Sequence, residues 1–393
     1  MTARAAPKGK RDWSLRSRAV RALLYQLLAL TLIVLAVWFL AHNTFENMRV
    51  RGIRSGFDFL LQPAGFDIGE LPIAYDALDP YWKAFLIGVL NTLRVAVIGI
   101  VLATLIGTLL GIGRFSHNAI VRGLCYGYVE LFRNIPILLQ LLMWYLLLTE
   151  WLPDPAEPLS AFGVFFLSKG GLNLPVPVWG TGHALTAGGL IVGAAAAWGY
   201  ARWVRLRFER TGRPLPVAAP AVALMLGGAL LGWLAGGSPN EWNLPKAGDV
   251  AVEGGSALTP EFISVLLGLT FYTAAFIAEV VRGGIQSVPG GQSEAAGALG
   301  LSRGQLMRLV VLPQALRVII PPTTNQYLNL TKNSSLAVAI GYPDVVSISN
   351  TALNQTGRAV ECIAIIMLVY LFTSLTTSGL MNWYNKRAAI KER

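Results

Sequence analysis

Charge is scarce in this sequence. Asp, Glu, Lys and Arg make up 13% of its 393 residues, while 54% are hydrophobic. Soluble domains carry about a quarter charged residues, so an ordinary soluble chain is excluded. Cysteine is rarer still. Cys125 and Cys362 both lie inside apolar segments and read as small core residues rather than a disulfide or a metal pair. His42, His117 and His183 are far apart and lack ligand spacing, which supports no metal site. No G-x-x-x-x-G-K-S/T loop occurs, so the chain has no cradle for nucleotide phosphates. Acidic residues are outnumbered 21 to 32, giving a net charge of +11. A nucleic-acid partner would need those basic residues on one patch. They sit instead in short segments beside apolar blocks, the pattern of a membrane protein.

What the sequence does have is apolar blocks of about 20 residues, the length a helix needs to cross the hydrocarbon core. Seven are clear: Ala22 to Ala41, Ala84 to Ile112, Ile120 to Leu148, Ala184 to Ala201, Val217 to Ala235, Phe262 to Val281 and Val360 to Leu380. The first follows the basic tail Met1 to Arg21. It is longer than the ~7–15-residue apolar region of a cleaved signal peptide, so it is expected to be a retained span. Gly107 and Gly111 form a small-xxx-small pair and are expected to serve ordinary close helix packing. The Pro-rich stretch Trp151 to Pro177 reads as an outer loop rather than a domain. The fourth and fifth spans are bracketed by Pro- and Gly-rich segments, so they read as an insertion into a more compact core.

The most informative stretch is Glu294-Ala295-Ala296-Gly297-Ala298-Leu299-Gly300, followed after nine residues by Val310-Val311-Leu312-Pro313. Two short helices are expected here. Small residues fill the first, Gly300 suits a left-handed terminator, and Ser302 and Gln305 have capping-box spacing for the second. On physics alone, an amphipathic hairpin on the membrane surface fits as well as a docking helix. The segment resembles the EAA loop of ABC importer permeases (E-A-A, three residues, Gly, nine residues, then I-x-L-P), departing only by Val310 in place of Ile. That resemblance implies a cytoplasmic loop, about 289–313, whose coupling helices dock onto an ATPase. It makes Glu294, Ala295, Ala296 and Gly300 the expected contacts. The neighbouring Leu301-Ser302-Arg303-Gly304-Gln305 looks like the signature of ABC ATPases. Without a phosphate loop it is a coincidence.

Three further stretches are similar to the polar amino-acid permeases (histidine, glutamine and arginine importers). They are Asn91-Thr92-Leu93-Arg94, Glu130-Leu131-Phe132-Arg133-Asn134-Ile135-Pro136 and Phe276 to Ile285. The resemblance covers Leu86 to Tyr145 and Leu258 to Tyr384. The long first outer loop and the insertion look like the larger permease subunit of general L-amino acid importers. With the EAA-like loop inside and the basic C-terminal tail also inside, an even number of crossings must separate them. An eighth span is therefore expected between Pro321 and Gly341. In this topology the inner segments hold 22 of the 32 basic residues and the outer loops seven. Both termini are then cytoplasmic.

The expected eighth span holds the polar run Thr323 to Ser335. Asn325, Asn329, Lys332 and Asn333 share one helical face there. Such a face either lines a wet substrate path or forms a buried hydrogen-bond network between helices. Glu279 would pair with a basic residue or contact substrate. Arg94 and Arg133 are expected to mark helix ends by snorkelling.

The expected fold is an all-α membrane protein of about eight transmembrane helices with a type-I ABC importer permease core. Its expected divisions are a basic cytoplasmic tail (1–21), a first transmembrane helix (22–41) and a periplasmic loop (42–83). Core segments 84–150 and 259–385 follow, separated by the insertion 151–258, and a cytoplasmic tail (386–393) ends the chain. The resemblance implies a permease subunit of the bacterial inner membrane rather than an enzyme. Its implied partners are a second permease subunit, two copies of a cytoplasmic ABC ATPase and a periplasmic amino-acid-binding protein. ATP and Mg belong on the ATPase, and this chain binds no cofactor. An ion-gradient-driven secondary transporter is the alternative. It accounts for Lys332 and Glu279 within spans, but not for the register of the Glu294 to Pro313 motif.

Overall fold

The computed structural model describes residues 18–50, 52 and 55–388. The basic tail up to residue 17 and the end of the C-terminal tail, 389–393, lie outside the described residues. Twelve α-helices occur among the described residues: α1 (Arg18–Val50), α2 (Tyr81–Gly113), α3 (Ala119–Asn134), α4 (Ile137–Glu150), α5 (Thr181–Thr211), α6 (Ala218–Ala235), α7 (Pro260–Gln286), α8 (Gly290–Ala298), α9 (Arg303–Leu306), α10 (Leu312–Asn333), α11 (Val345–Thr356) and α12 (Ala359–Ala388). Seven are long and apolar enough to cross a membrane, or eight if the bent pair α3–α4 counts as one span. Where parity placed a span, between Pro321 and Gly341, the chain has a candidate span that begins earlier. It runs Gly304–Ile340, through a π-turn at Met307–Val311, α10 and a 3-10 turn at Ser334–Ile340.

Two readings need correction. Ile120 to Leu148 is not one straight span, because α3 and α4 meet at 106°. The break falls at Ile135-Pro136, where proline disfavours helical geometry for the residue before it. The carbonyls that the break frees are not left bare. Gln140 Nε2 donates to Phe132 O and Ile135 O, each at 2.9 Å, from a side chain only 1% exposed. The second correction concerns the loops that flank α5 and α6, expected as plain loops, which build β-structure. β1 (Leu159–Ala161), β2 (Phe165–Ser168), β3 (Gly171–Leu174) and, from the second loop, β8 (Ser256–Leu258) form an antiparallel sheet in that order. Two separate ribbons accompany it: β4 (Val176–Pro177) with β5 (Trp242–Asn243), and β6 (Lys246–Ala247) with β7 (Val252–Glu253). Strands this short, interrupted by Pro and Gly, give almost no alternating signal to read.

The chain divides into two compact units. One comprises the residues up to Asp67, Tyr75–Leu86 and Ile348–Leu371. In it, Arg358 donates to Gly56 O (2.9 Å) and to Asp58 Oδ2 (3.0 Å), and Glu361 Oε1 accepts the Gly56 N–H. The start of α12 is thereby tied to the loop that precedes α2. Phe59 packs edge-on against Tyr81 and Phe85.

The other unit comprises Ile68–Ala74, Ile87–Ser347 and Phe372 onward. Its core gathers Val95 and Ala103 of α2, Leu269 and Ile277 of α7 and Leu330 of α10. Close packing of α2 on α7 depends on the glycine pair read from the sequence. A Cβ at Gly107 would lie 2.8 Å from Ala274 O, and one at Gly111 would lie 2.8 Å from Ala278 O. The inserted α5 and α6 form a hairpin by the same device. A Cβ at Gly189 would come within 2.1 Å of Gly228 O, and one at Gly232 within 2.3 Å of Leu185 O. Without a hydrophobic drive between helices in lipid, this backbone proximity supplies the dispersion contacts that hold the pair together.

Candidate functional site

The EAA-like loop has the local structure that its residues dictate. Helix α8 ends in a Schellman motif: the Leu301 N–H donates to Ala296 O (3.2 Å) and the Gly300 N–H to Gly297 O (2.9 Å). This requires the left-handed backbone of Gly300, at φ +73°. The capping box follows. Gln305 Oε1 accepts the Ser302 N–H (2.9 Å), and the Gln305 N–H reaches Ser302 Oγ (3.4 Å). Glu294, Ala295 and Gly300 are exposed, whereas Ala296 is buried. Ala296 therefore serves α8's packing on its own chain, and the exposed residues of the motif are Glu294, Ala295 and Gly297 to Gly300.

The polar run of α10 sorts into two sets. The hydroxyls of Thr323, Thr324 and Thr331 donate to carbonyls one turn back, as do Ser334 and Ser335 in the next turn. Tyr327 is bonded to Thr104 at 2.9 Å. These residues are satisfied within the chain. Asn325, Asn329 and Lys332 are exposed and Asn333 is half-buried. Among the described residues none of these four side chains has a hydrogen bond or ion pair inside the chain. An intrachain hydrogen-bond network is thus not what holds them, and the face stands open.

Glu279 has a different environment. Its carboxylate accepts from Arg114 Nη1 (2.6 Å) and from Arg282 Nε (3.1 Å to both oxygens), and Arg133 Nη1 stands 3.8 Å away. Of the two readings made for Glu279, the structure carries pairing. Arg133 also lies over the Phe276 ring. Arg94 does not snorkel. It binds Glu70 Oε2 at 3.0 Å and lies over the Phe262 ring, 4.2 Å from its centroid.

That last contact leads to a hub the sequence reading missed. Glu70 is 5% exposed. Its Oε1 accepts from the N–H (3.0 Å) and hydroxyl (2.8 Å) of Thr259, the N-cap of α7. Its backbone carbonyl accepts from Asn91 Nδ2 (3.1 Å), which also donates to Pro343 O (3.0 Å). Tyr342 closes the group by donating to Asn91 O at 3.1 Å, and burial pushes its phenol above the ordinary tyrosine range. In the sequence Glu70 is one of six acidic residues in a loop, and no periodicity distinguishes it. Thr259-Pro260 was a legible signal, since an N-cap threonine followed by proline at N1 starts helices.

A family model described as binding-protein-dependent transport system inner membrane component matches residues 215–390. The general L-amino acid transport system permease protein AapQ of Rhizobium johnstonii is 48% identical over 97% of this chain and 96% of its own length. The putative amino-acid ABC transporter permease protein YhdX of Escherichia coli K12 is 46% identical over 98% of each chain. The glutamate/glutamine/aspartate/asparagine transport system permease protein BztB of Rhodobacter capsulatus is 39% identical over 95% of each. These relatives match across the insertion as well as the core. The chain belongs to the polar amino-acid permease family of ABC importers, as a multi-pass subunit of the inner membrane.

Proposed function

We propose that this chain forms one half of the translocation pathway of an importer for L-amino acids. The observation that carries this reading is the open face of Asn325, Asn329 and Lys332. Polar groups on a spanning helix that lack partners in their own chain belong against a water-filled path or a substrate. A zwitterionic amino acid needs both a cation and hydrogen-bonding groups, which Lys332 and the asparagine amides offer. The other half of the path belongs to a second, related permease chain, and a periplasmic binding protein delivers the substrate. ATP and Mg sit on two copies of a cytoplasmic ATPase, which act on this chain through the exposed face of Glu294, Ala295 and Gly300. Both termini and Arg202–Arg213 face the cytoplasm, in keeping with the charge bias.

Lys332→Met tests the pathway. Uptake per assembled complex should fall while the yield of assembled complex holds. Unchanged uptake removes Lys332 from the path. A lower yield with normal uptake per complex makes it a structural residue.

A further inference from the structure

The geometry points to a binding site for the phosphate of an anionic phospholipid on the Glu279 cluster, in the leaflet at the coupling-helix end of the spans. Three guanidiniums, of Arg114, Arg133 and Arg282, surround a single carboxylate. Two positive charges are therefore left uncompensated. Their side chains are only 11%, 35% and 29% exposed, so water alone does not solvate them fully. Glu130, one turn before Arg133, forms no ion pair with the group among the described residues; its carboxylate accepts from Asn134. A phosphate oxygen is the natural partner of such a group, since guanidiniums bind phosphate through charge-assisted hydrogen bonds.

Helix α3 explains why that phosphate should belong to a lipid. Arg122, Tyr126 and Arg133 are spaced i, i+4 and i+11 and so form one stripe. The Arg114 guanidinium lies over the Tyr126 ring, 5.3 Å from its centroid. Ile120, Leu124 and Leu131 have the same spacing on another face and are 72%, 71% and 55% exposed. The buried positions Cys125 and Val129 pack inward. Helix α3 thus has an apolar stripe open to acyl chains and, on its opposite side, a basic stripe that borders the buried positions, the division of an interfacial amphipathic helix. Basic pockets between spans on the cytoplasmic side select anionic headgroups on the same principle.

The test uses the full-length chain purified with its accompanying subunits. Bound lipid is quantified by mass spectrometry, and thermal midpoints are followed in phosphatidylcholine nanodiscs with graded phosphatidylglycerol. Phosphatidylglycerol should be retained over phosphatidylcholine and should raise the midpoint. Arg133→Gln removes the guanidinium least committed to Glu279. It should lower phosphatidylglycerol retention about fivefold, the factor for one basic group at a membrane surface, whereas Arg133→Lys should keep most of it. Arg122→Gln, exposed on the same stripe, should act in the same direction and covers the case in which the Arg133 variant fails to fold. Equal retention of the two lipids, or no effect of either neutral variant, overturns the site. A thermal shift from inorganic phosphate alone as large as that from phosphatidylglycerol makes it a simple anion site and overturns the lipid assignment.

Discussion

Replacing Gly300 by valine isolates what the end of α8 contributes to coupling. The backbone there is left-handed, at φ +73°, a conformation that costs an L-residue about 1–2 kcal/mol. It costs a β-branched residue more, for which it is a genuine outlier. Among the described residues, no atom beyond Gly300 and its two chain neighbours lies within 4 Å of where the Cβ would stand. Crowding within the chain therefore contributes nothing, and the penalty is one of backbone alone. Two hydrogen bonds, from Leu301 to Ala296 and from Gly300 to Gly297, depend on that backbone. A loss of 1–2 kcal/mol reduces the population with a formed helix end by a factor of about 5–30. Asparagine tolerates the left-handed region better than other residues, so impairment should rank Asn, then Ala, then Val. The assay is ATP hydrolysis and uptake in reconstituted vesicles, with and without the external binding protein. The spans should insert normally, and hydrolysis stimulated by the binding protein should weaken or run without transport. Normal stimulated hydrolysis and uptake in Gly300→Val would refute the coupling assignment. An asparagine variant as impaired as the valine would refute the backbone reasoning and locate the effect in contact with the partner surface.

Glu70→Ala should destabilise the folded chain by about 3–5 kcal/mol, because it strands the partly buried Arg94 and frees two Thr259 groups. A thermal midpoint in detergent equal to that of the parent chain would show that the hub is not stabilising. Gln140→Leu leaves the part-buried Phe132 and Ile135 carbonyls without their donor, at about 1 kcal/mol for each lost hydrogen bond. Proteolysis near the α3–α4 break should rise, while α5 and α6 stay protected. Cysteines placed at 151–183 and 238–255 should react with an impermeant external label, whereas one at Arg205 should not. External labelling at 205 would invert the topology.

The sequence by itself determined most of the long apolar helices, the family and the local form of the EAA-like loop. Apolar length is a local property, and a 20-residue block can satisfy its backbone in lipid only as a helix. The loop motif is equally local. The Gly300 terminator and the Ser302–Gln305 box need only neighbouring residues, and both formed as read. Parity pointed to a span between Pro321 and Gly341, and the apolar helix found there, Gly304–Ile340, begins 17 residues earlier.

Tertiary structure decided which polar groups are paired. Glu70, Arg94 and Thr259 come together from positions up to 189 residues apart, and Glu279 meets Arg114 across 165. Nothing local marks such pairs, since a buried carboxylate and a solvated one look the same in a loop rich in both. The 106° break was announced by Ile135-Pro136, but its persistence depends on Gln140 reaching back to the carbonyls. The strand pairing of the insertion depends on bringing residue 172 to residue 258, across the intervening α5 and α6. Local sequence sets what each segment can be. Long-range pairing sets which polar groups are used up within the chain, and so leaves the face of Asn325, Asn329 and Lys332 open.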